Sequence, residues 1–442
     1  MNTRPLVYAL ILVLSFFIPH TLHSQNPICP PGVYIPDPTS RVIGGKLFIY
    51  GSLDEKRGIY CSDHYHVLSS ANLRDWTLHR DSFRGEGGMY LYAPDMICKD
   101  GTYYLYYDNP SGEEFVATSG SPTGPFTDGV KIEGPSGIDP AVFIDDDGQA
   151  YYFWGQFSAK GAKMNPDMKS IDPSTIVDGI VTEEEHYFHE GSYLVKRGKY
   201  YYFVYADISR RGRPTSIGYA MATSPLGPYE YKGVIVDNSG CDPEVWNNHG
   251  SIVQFGEQWY VLYHRSSWGS RTMRKACIER ISFRDDGTIV EAEMTSQGAS
   301  GPLDARDNLE GWRACLLNGK AYIRLEEGTT DHEILSNISP GDLAAFKYLD
   351  FGRKSPSKVT VRAKSREGGT LSVIPDQSFY GGVARVDIPA GEGEWKEYTA
   401  PLTKEVTGVH ALWVAFGGDG RGKGNEKKEE EGLFDIDWIR FE

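Results

Sequence analysis

The chain has 442 residues, 24% charged and 40% hydrophobic, with 50 glycines and 28 tyrosines. Its formal net charge of −15 argues against nucleic acid or an anionic membrane as partner and suits a neutral substrate. The composition is globular and tilted toward β-structure. The length allows two or three domains, although one all-β domain can run to about 250 residues.

Residues 1–24 read as an export signal. Arg4 supplies the positive start, the apolar run 6–18 is short for a bilayer, and Leu22-His23-Ser24 offers a cleavage site before Gln25. The alternative for this run is an N-terminal membrane anchor. The mature chain is expected to be a periplasmic or extracellular monomer with no membrane contact after cleavage. Its six cysteines lack CxxC spacing, which argues against a cysteine zinc site. Export permits disulfides, but the spacing fixes no pairing.

From residue 30 onward one pattern occurs five times. A polar head opens a short apolar run, a glycine turn follows, and a second run of aromatic and β-branched residues completes a hairpin. The heads are Asp37, Asp95, Asp139, Glu190 and His249, separated by 58, 44, 51 and 59 positions. The turn glycines are Gly45, Gly101, Gly148, Gly198 and Gly256. Outer strands carry their own signature, Gly124-Pro125-Phe126 and Gly227-Pro228-Tyr229. Repeats near 50 residues with several strands each predict propeller blades rather than a sandwich. The fold class is therefore all-β, with a five-bladed propeller over residues 25–300. The small, polar run 295–302 reads as a linker. Residues 301–442 carry short β-runs of another pattern, enough for a separate β-sandwich. Within it, residues 418–432 read as a solvated loop.

In a propeller the first strand of each blade lies beside the central axis, so the five heads converge on one pocket. Cleaving an acetal needs a protonated acid for the leaving oxygen and an ionised carboxylate for water or the anomeric carbon. A third carboxylate can raise the acid's pKa and orient it. Asp37, Glu190 and Asp139 fit these jobs, against the plainer reading of turn residues placed by blade geometry. Asp95 is expected to be structural or to contact a hydroxyl. His249 would hold a water or a hard cation, or would be an axial histidine satisfied by the protein. Tyr92, Trp154 and Trp246 are candidate walls for sugar rings or inter-blade packing. Arg274 would donate to sugar hydroxyls or sit in a salt bridge. Asp145-Asp146-Asp147-Gly148 falls at a hairpin turn and reads as solvated rather than as a metal loop.

At these residues the chain resembles glycoside hydrolase family 43. The match is carried by Asp37-Pro38, Ala93-Pro94-Asp95, Ile138-Asp139-Pro140, Glu190-Gly191-Ser192 and Asn248-His249-Gly250-Ser251, in order. The resemblance implies an inverting mechanism with Asp37 as general base, Glu190 as general acid and Asp139 as modulator. It implies no required cofactor, and structural calcium either on the axis through His249 or in the C-terminal domain. That domain resembles a family 6 carbohydrate-binding module, with Trp395 matching its sugar-stacking aromatic. The implied substrate is plant cell-wall polysaccharide or oligosaccharide. The α-L-arabinofuranosidase activity stands first, followed by β-xylosidase, then arabinanase or galactan-acting activities. The rivals are a non-catalytic sugar-binding propeller and a retaining enzyme on sucrose or fructans, whose opening motif 34–38 does not match.

Overall fold

The computed structural model describes residues 25–377, 379–418 and 432–442. The expected export signal lies outside them, as does most of the 418–432 loop. Five antiparallel four-stranded sheets occupy residues 39–290. Their innermost strands are Thr39–Ile43, Asp95–Lys99, Ala141–Ile144, Phe188–Arg197 and Ser251–Phe255. Each packs against the next, and the fifth against the first, which closes a ring of five blades.

The second strands explain the aromatic richness. In Tyr200–Asp207, Tyr202 and Val204 pack toward blade five, while Tyr201, Phe203 and Tyr205 pack toward blade three. Side chains alternate between faces, and both faces are covered, so the run is apolar throughout. Five such cores, one between each pair of neighbouring blades, hold the ring together. The five turn glycines all have positive φ, between 59° and 84°, the conformation that tight hairpins require.

The N-terminal segment seals the junction of blades five and one. Ile28, Val33 and Ile35 enter the core there, and Asn26 Nδ2 donates to Ile278 O, Glu279 Oε1 and Thr295 O. Beyond Val290, two six-stranded sheets form a sandwich around a core that includes Phe346, Val361, Val373, Leu412, Phe434 and Ile436. The sandwich is docked rather than tethered. Backbone hydrogen bonds cross from Trp268 N to Ile323 O and from Leu317 N to Gly240 O. Lys275 of blade five pairs with Glu333 of the sandwich, with both side chains fully enclosed.

All six cysteines are free thiols, five of them buried.

Candidate active site

Asp37, Asp139 and His249 each stand two residues ahead of an innermost strand, whereas Asp95 opens its strand. Asp37 and Asp139 have φ of 55° and 56°, and each precedes a proline. A left-handed residue before proline is strained, and such strain survives only where the surroundings hold it. Glu190 reaches the pocket differently. It is the third residue of Phe188–Arg197, at a bulge that shifts register on either side of it. Gly191 makes the bulge possible: its φ is 78°, and a Cβ there would lie 2.8 Å from the His249 ring.

Asp37 is almost fully buried and fully bonded. Its Oδ1 accepts from Arg274 Nη1 at 2.9 Å and its Oδ2 from Ser52 Oγ at 2.7 Å. Its own N–H donates to His264 Nδ1 at 3.1 Å. Burial alone would raise its pKa, but Arg274, His264, His249 and Ser52 outweigh it and hold the carboxyl below its ordinary value. Burial and the neighbouring Arg274 push His264 down to about 3. With His264 neutral, Arg274 is the charge that keeps Asp37 ionised.

Asp139 has the opposite environment. Burial, then the charges of Glu190, Asp108 and Asp37, push its carboxyl well above the usual range, with the Gly191 N–H opposing. A carboxyl so placed keeps its proton, or shares it with its neighbour. Glu190 Oε2 accepts from Gln156 Nε2 at 2.9 Å and lies 4.0 Å from His189 Nε2.

The supporting residues went unread in the sequence, yet they share a signal. They sit late in the aromatic second strand of a blade or within two residues past its end. Ser52 and His264 meet Asp37, Asp108 Oδ1 accepts from Asp139 N at 3.4 Å, and Gln156 meets Glu190. Each catalytic head is thus backed by a second-strand end. Tyr60 was also missed. It is 37% exposed, and the Arg274 guanidinium lies 4.9 Å from its ring centre. The charge of Glu190 is among those that raise its pKa, after burial, which is the largest cause.

Three expected contacts with substrate are corrected. Asp95 is fully buried: it pairs with Arg41 at 2.7 Å and accepts the N–H of Val142 at 2.9 Å. Arg41 also donates to Val142 O, Ser40 O and the Tyr193 hydroxyl, so this pair ties four blades on the axis. Trp154 faces the same way as Tyr152 and packs in the core between blades two and three. Arg274 is buried with Nε and Nη2 on Asp54 and Nη1 on Asp37, so it positions the carboxylate instead of meeting solvent. Tyr92 and Trp246 remain half-buried at the pocket-side ends of blades two and five, Trp246 beneath Arg271. Trp395 lies on an edge strand of the sandwich. Its Nε1 donates to Glu326, and Arg362 and Lys364 lie over its ring. Asp145 and Asp146 are held by Lys196 at the blade-three turn.

His249 is buried, with Nδ1 3.9 Å from Asp37 Oδ1 and Nε2 lacking any partner. The axis therefore offers one bare nitrogen, while Asp37 and Asp95 are bound to arginines. A cation there would keep most of its ligands as water. In the C-terminal domain Glu310 pairs with Arg313 at 2.7 Å.

Comparison with known proteins converges on this geometry. Residues 24–289 match the model of glycosyl hydrolases family 43, and residues 314–442 that of the family 6 carbohydrate binding module. A xylosidase/arabinosidase of Thermoclostridium stercorarium is 29% identical over 89% of this chain and 96% of its own. An arabinoxylan arabinofuranohydrolase of Bacillus subtilis is 27% identical over 92% of this chain and 90% of its own. The crystal structure of a family 43 arabinoxylan arabinofuranohydrolase from Bacillus subtilis, in complex with cellotetraose, superposes with a TM-score of 0.55 at 25% identity. It covers 96% of this chain and 98% of its own. With four carboxylates among the five heads of a five-bladed propeller and this family match over more than half its length, the chain belongs to glycosyl hydrolase family 43. It is a glycoside hydrolase carrying a family 6 carbohydrate-binding module.

Proposed function

We propose that the protein is an exported, inverting α-L-arabinofuranosidase that removes arabinose from arabinoxylan-like plant polysaccharide. The observation that carries the chemistry is the contrast between an Asp37 held ionised by Arg274 and an Asp139 held protonated beside Glu190. Asp37 takes a proton from water as that water attacks the anomeric carbon, and Glu190 donates a proton to the leaving oxygen. Asp139 orients Glu190 and shares its proton. All three roles are filled by side chains. A hydrated cation or a water on His249 Nε2 would add charge or structure beside Asp37 and would enter no bond-making step. The arabinose reading rests on relatives that span both domains and are named arabinofuranohydrolases. Relatives named xylosidase/arabinosidase support β-xylosidase as second activity. Export rests on the residue pattern of 1–24, and polysaccharide docking on Trp395 and the module match.

The test is a screen on nitrophenyl α-L-arabinofuranoside, β-xyloside and β-galactoside, with proton NMR of the first-formed product. The arabinofuranoside should turn over fastest and give the inverted anomer. A retained anomer refutes the mechanism. A faster xyloside reassigns the glycone, and the galactoside alone turning over removes the pentose reading.

A further inference from the structure

A second cluster with ligand character lies on blade one, away from the axis. His64 and His66 stand two apart on strand His64–Ser70, so their side chains share a face. Asp81 comes from the neighbouring strand Thr77–Arg84. One ligand atom from each of the three lies within 4.8 Å of the others. Both histidines are buried, at 8% and 6% exposure, while Asp81 is exposed.

The tautomer of His64 is fixed by its neighbours. Its Nδ1 lies 2.8 Å from Asp63 Oδ1, and a carboxylate only accepts, so Nδ1 carries the proton. Asp63 is itself held by Arg84, whose Nη1 lies 2.8 Å from both carboxylate oxygens. Nε2 is left with a lone pair. It faces Asp81 Oδ1 at 3.8 Å and Glu55 Oε1 at 4.0 Å. Asp81 Oδ1 also lies 3.4 Å from Arg84 Nη2, a contact it must give up to ligate. Two ligands held at about 2.0–2.2 Å by one tetrahedral ion are roughly 3.3–3.6 Å apart, and His64 Nε2 and Asp81 Oδ1 stand 3.8 Å apart.

We propose that His64, His66 and Asp81, completed by water, form a binding site for a borderline divalent cation such as Zn2+. Imidazole and carboxylate ligands in a four-coordinate set suit that ion, and a histidine whose other nitrogen donates to a carboxylate is the usual supporting arrangement. His66 is the weakest member, because its Nδ1 accepts the N–H of Asp81 at 3.0 Å and must release it to ligate. Glu55 and His66 also line a cavity of about 350 Å³ between blade one, Trp268 and Leu325, which gives the ion a way in.

The experiment uses the full-length protein, stripped with a chelator and titrated with ZnCl2 by calorimetry, with thermal melts in parallel. One ion per chain should bind and raise Tm. Asp63→Asn, which weakens the support of His64 and frees Arg84, should weaken binding about 10–100-fold. His64→Ala should abolish both effects. Asp81→Asn is the safeguard against misfolding: Asp81 is exposed, and asparagine tolerates its φ of 51°. It should also lose the Zn2+ response while keeping turnover of the nitrophenyl arabinofuranoside. No saturable Zn2+ binding, or binding that survives in both His64→Ala and Asp81→Asn, overturns the site.

Discussion

Asp37 and Asp139 share a motif, a backbone and a depth, and differ in what stands behind them. Each precedes a proline with φ near 55°, and their exposures are 5% and 7%. Behind Asp37 lie Arg274, Ser52 and two histidines, and its pKa falls. Behind Asp139 lie Asp108 and Glu114, with no cation bridging any of these three acids among the described residues, and the pKa of Asp139 rises. Asp108 and Glu114 face each other across paired strands, and each has one buried oxygen without a partner. Burial holds both carboxyls toward the protonated form, and Glu114 adds to the rise of Asp108. One repeated motif thus yields a base and a proton-holding neighbour, and the difference is made by residues outside the motif.

The largest effect comes from removing the chemistry itself. Glu190→Gln and Asp37→Asn should each lower kcat about 10²–10⁴-fold, read by steady-state kinetics with melts to show the fold retained. Wild-type turnover in either variant breaks the assignment. A smaller effect comes from making the two sides more alike. Arg274→Lys keeps a charge but loses the forked contact with Asp37 and Asp54. The pKa of Asp37 should rise, so the acid limb of the kcat/KM profile should move up by about one pH unit. An unmoved limb would mean that Arg274 is not what ionises Asp37.

The ring of heads was legible because it repeats: five polar residues ahead of five hairpins, with glycine where φ must be positive. The protonation contrast was not, because its causes are distant in sequence. Arg274 is 237 residues from Asp37, and nothing local marks it as the partner. Asp95 looked like its siblings, but Arg41 reaches across the axis and closes it. For Trp154 the sequence left a sugar-ring wall and inter-blade packing both open. It sits at a strand end like a rim residue, yet strand alternation puts it beside Tyr152, facing the next blade. That much was available from period two alone.

The subtlest test sharpens the acid side. Burial pushes Glu114 up to about 8, against a hydrogen bond from Tyr152 Oη at 2.6 Å. In the unfolded chain it titrates near the ordinary glutamate value of 4.5. Between these values the native state holds a proton that the unfolded state has lost, so stability falls as pH rises. This contribution is fully present below pH 4.5 and is lost progressively toward pH 8. One proton changes stability by at most about 1.4 kcal/mol per pH unit. Glu114→Gln removes that titration and can still donate to Asp108. Melts from pH 5 to 8 should show the variant gaining on wild type as pH rises. Parallel curves would mean that Glu114 is already ionised in the native fold, and that Asp139 rests against a charge rather than a protonated carboxyl.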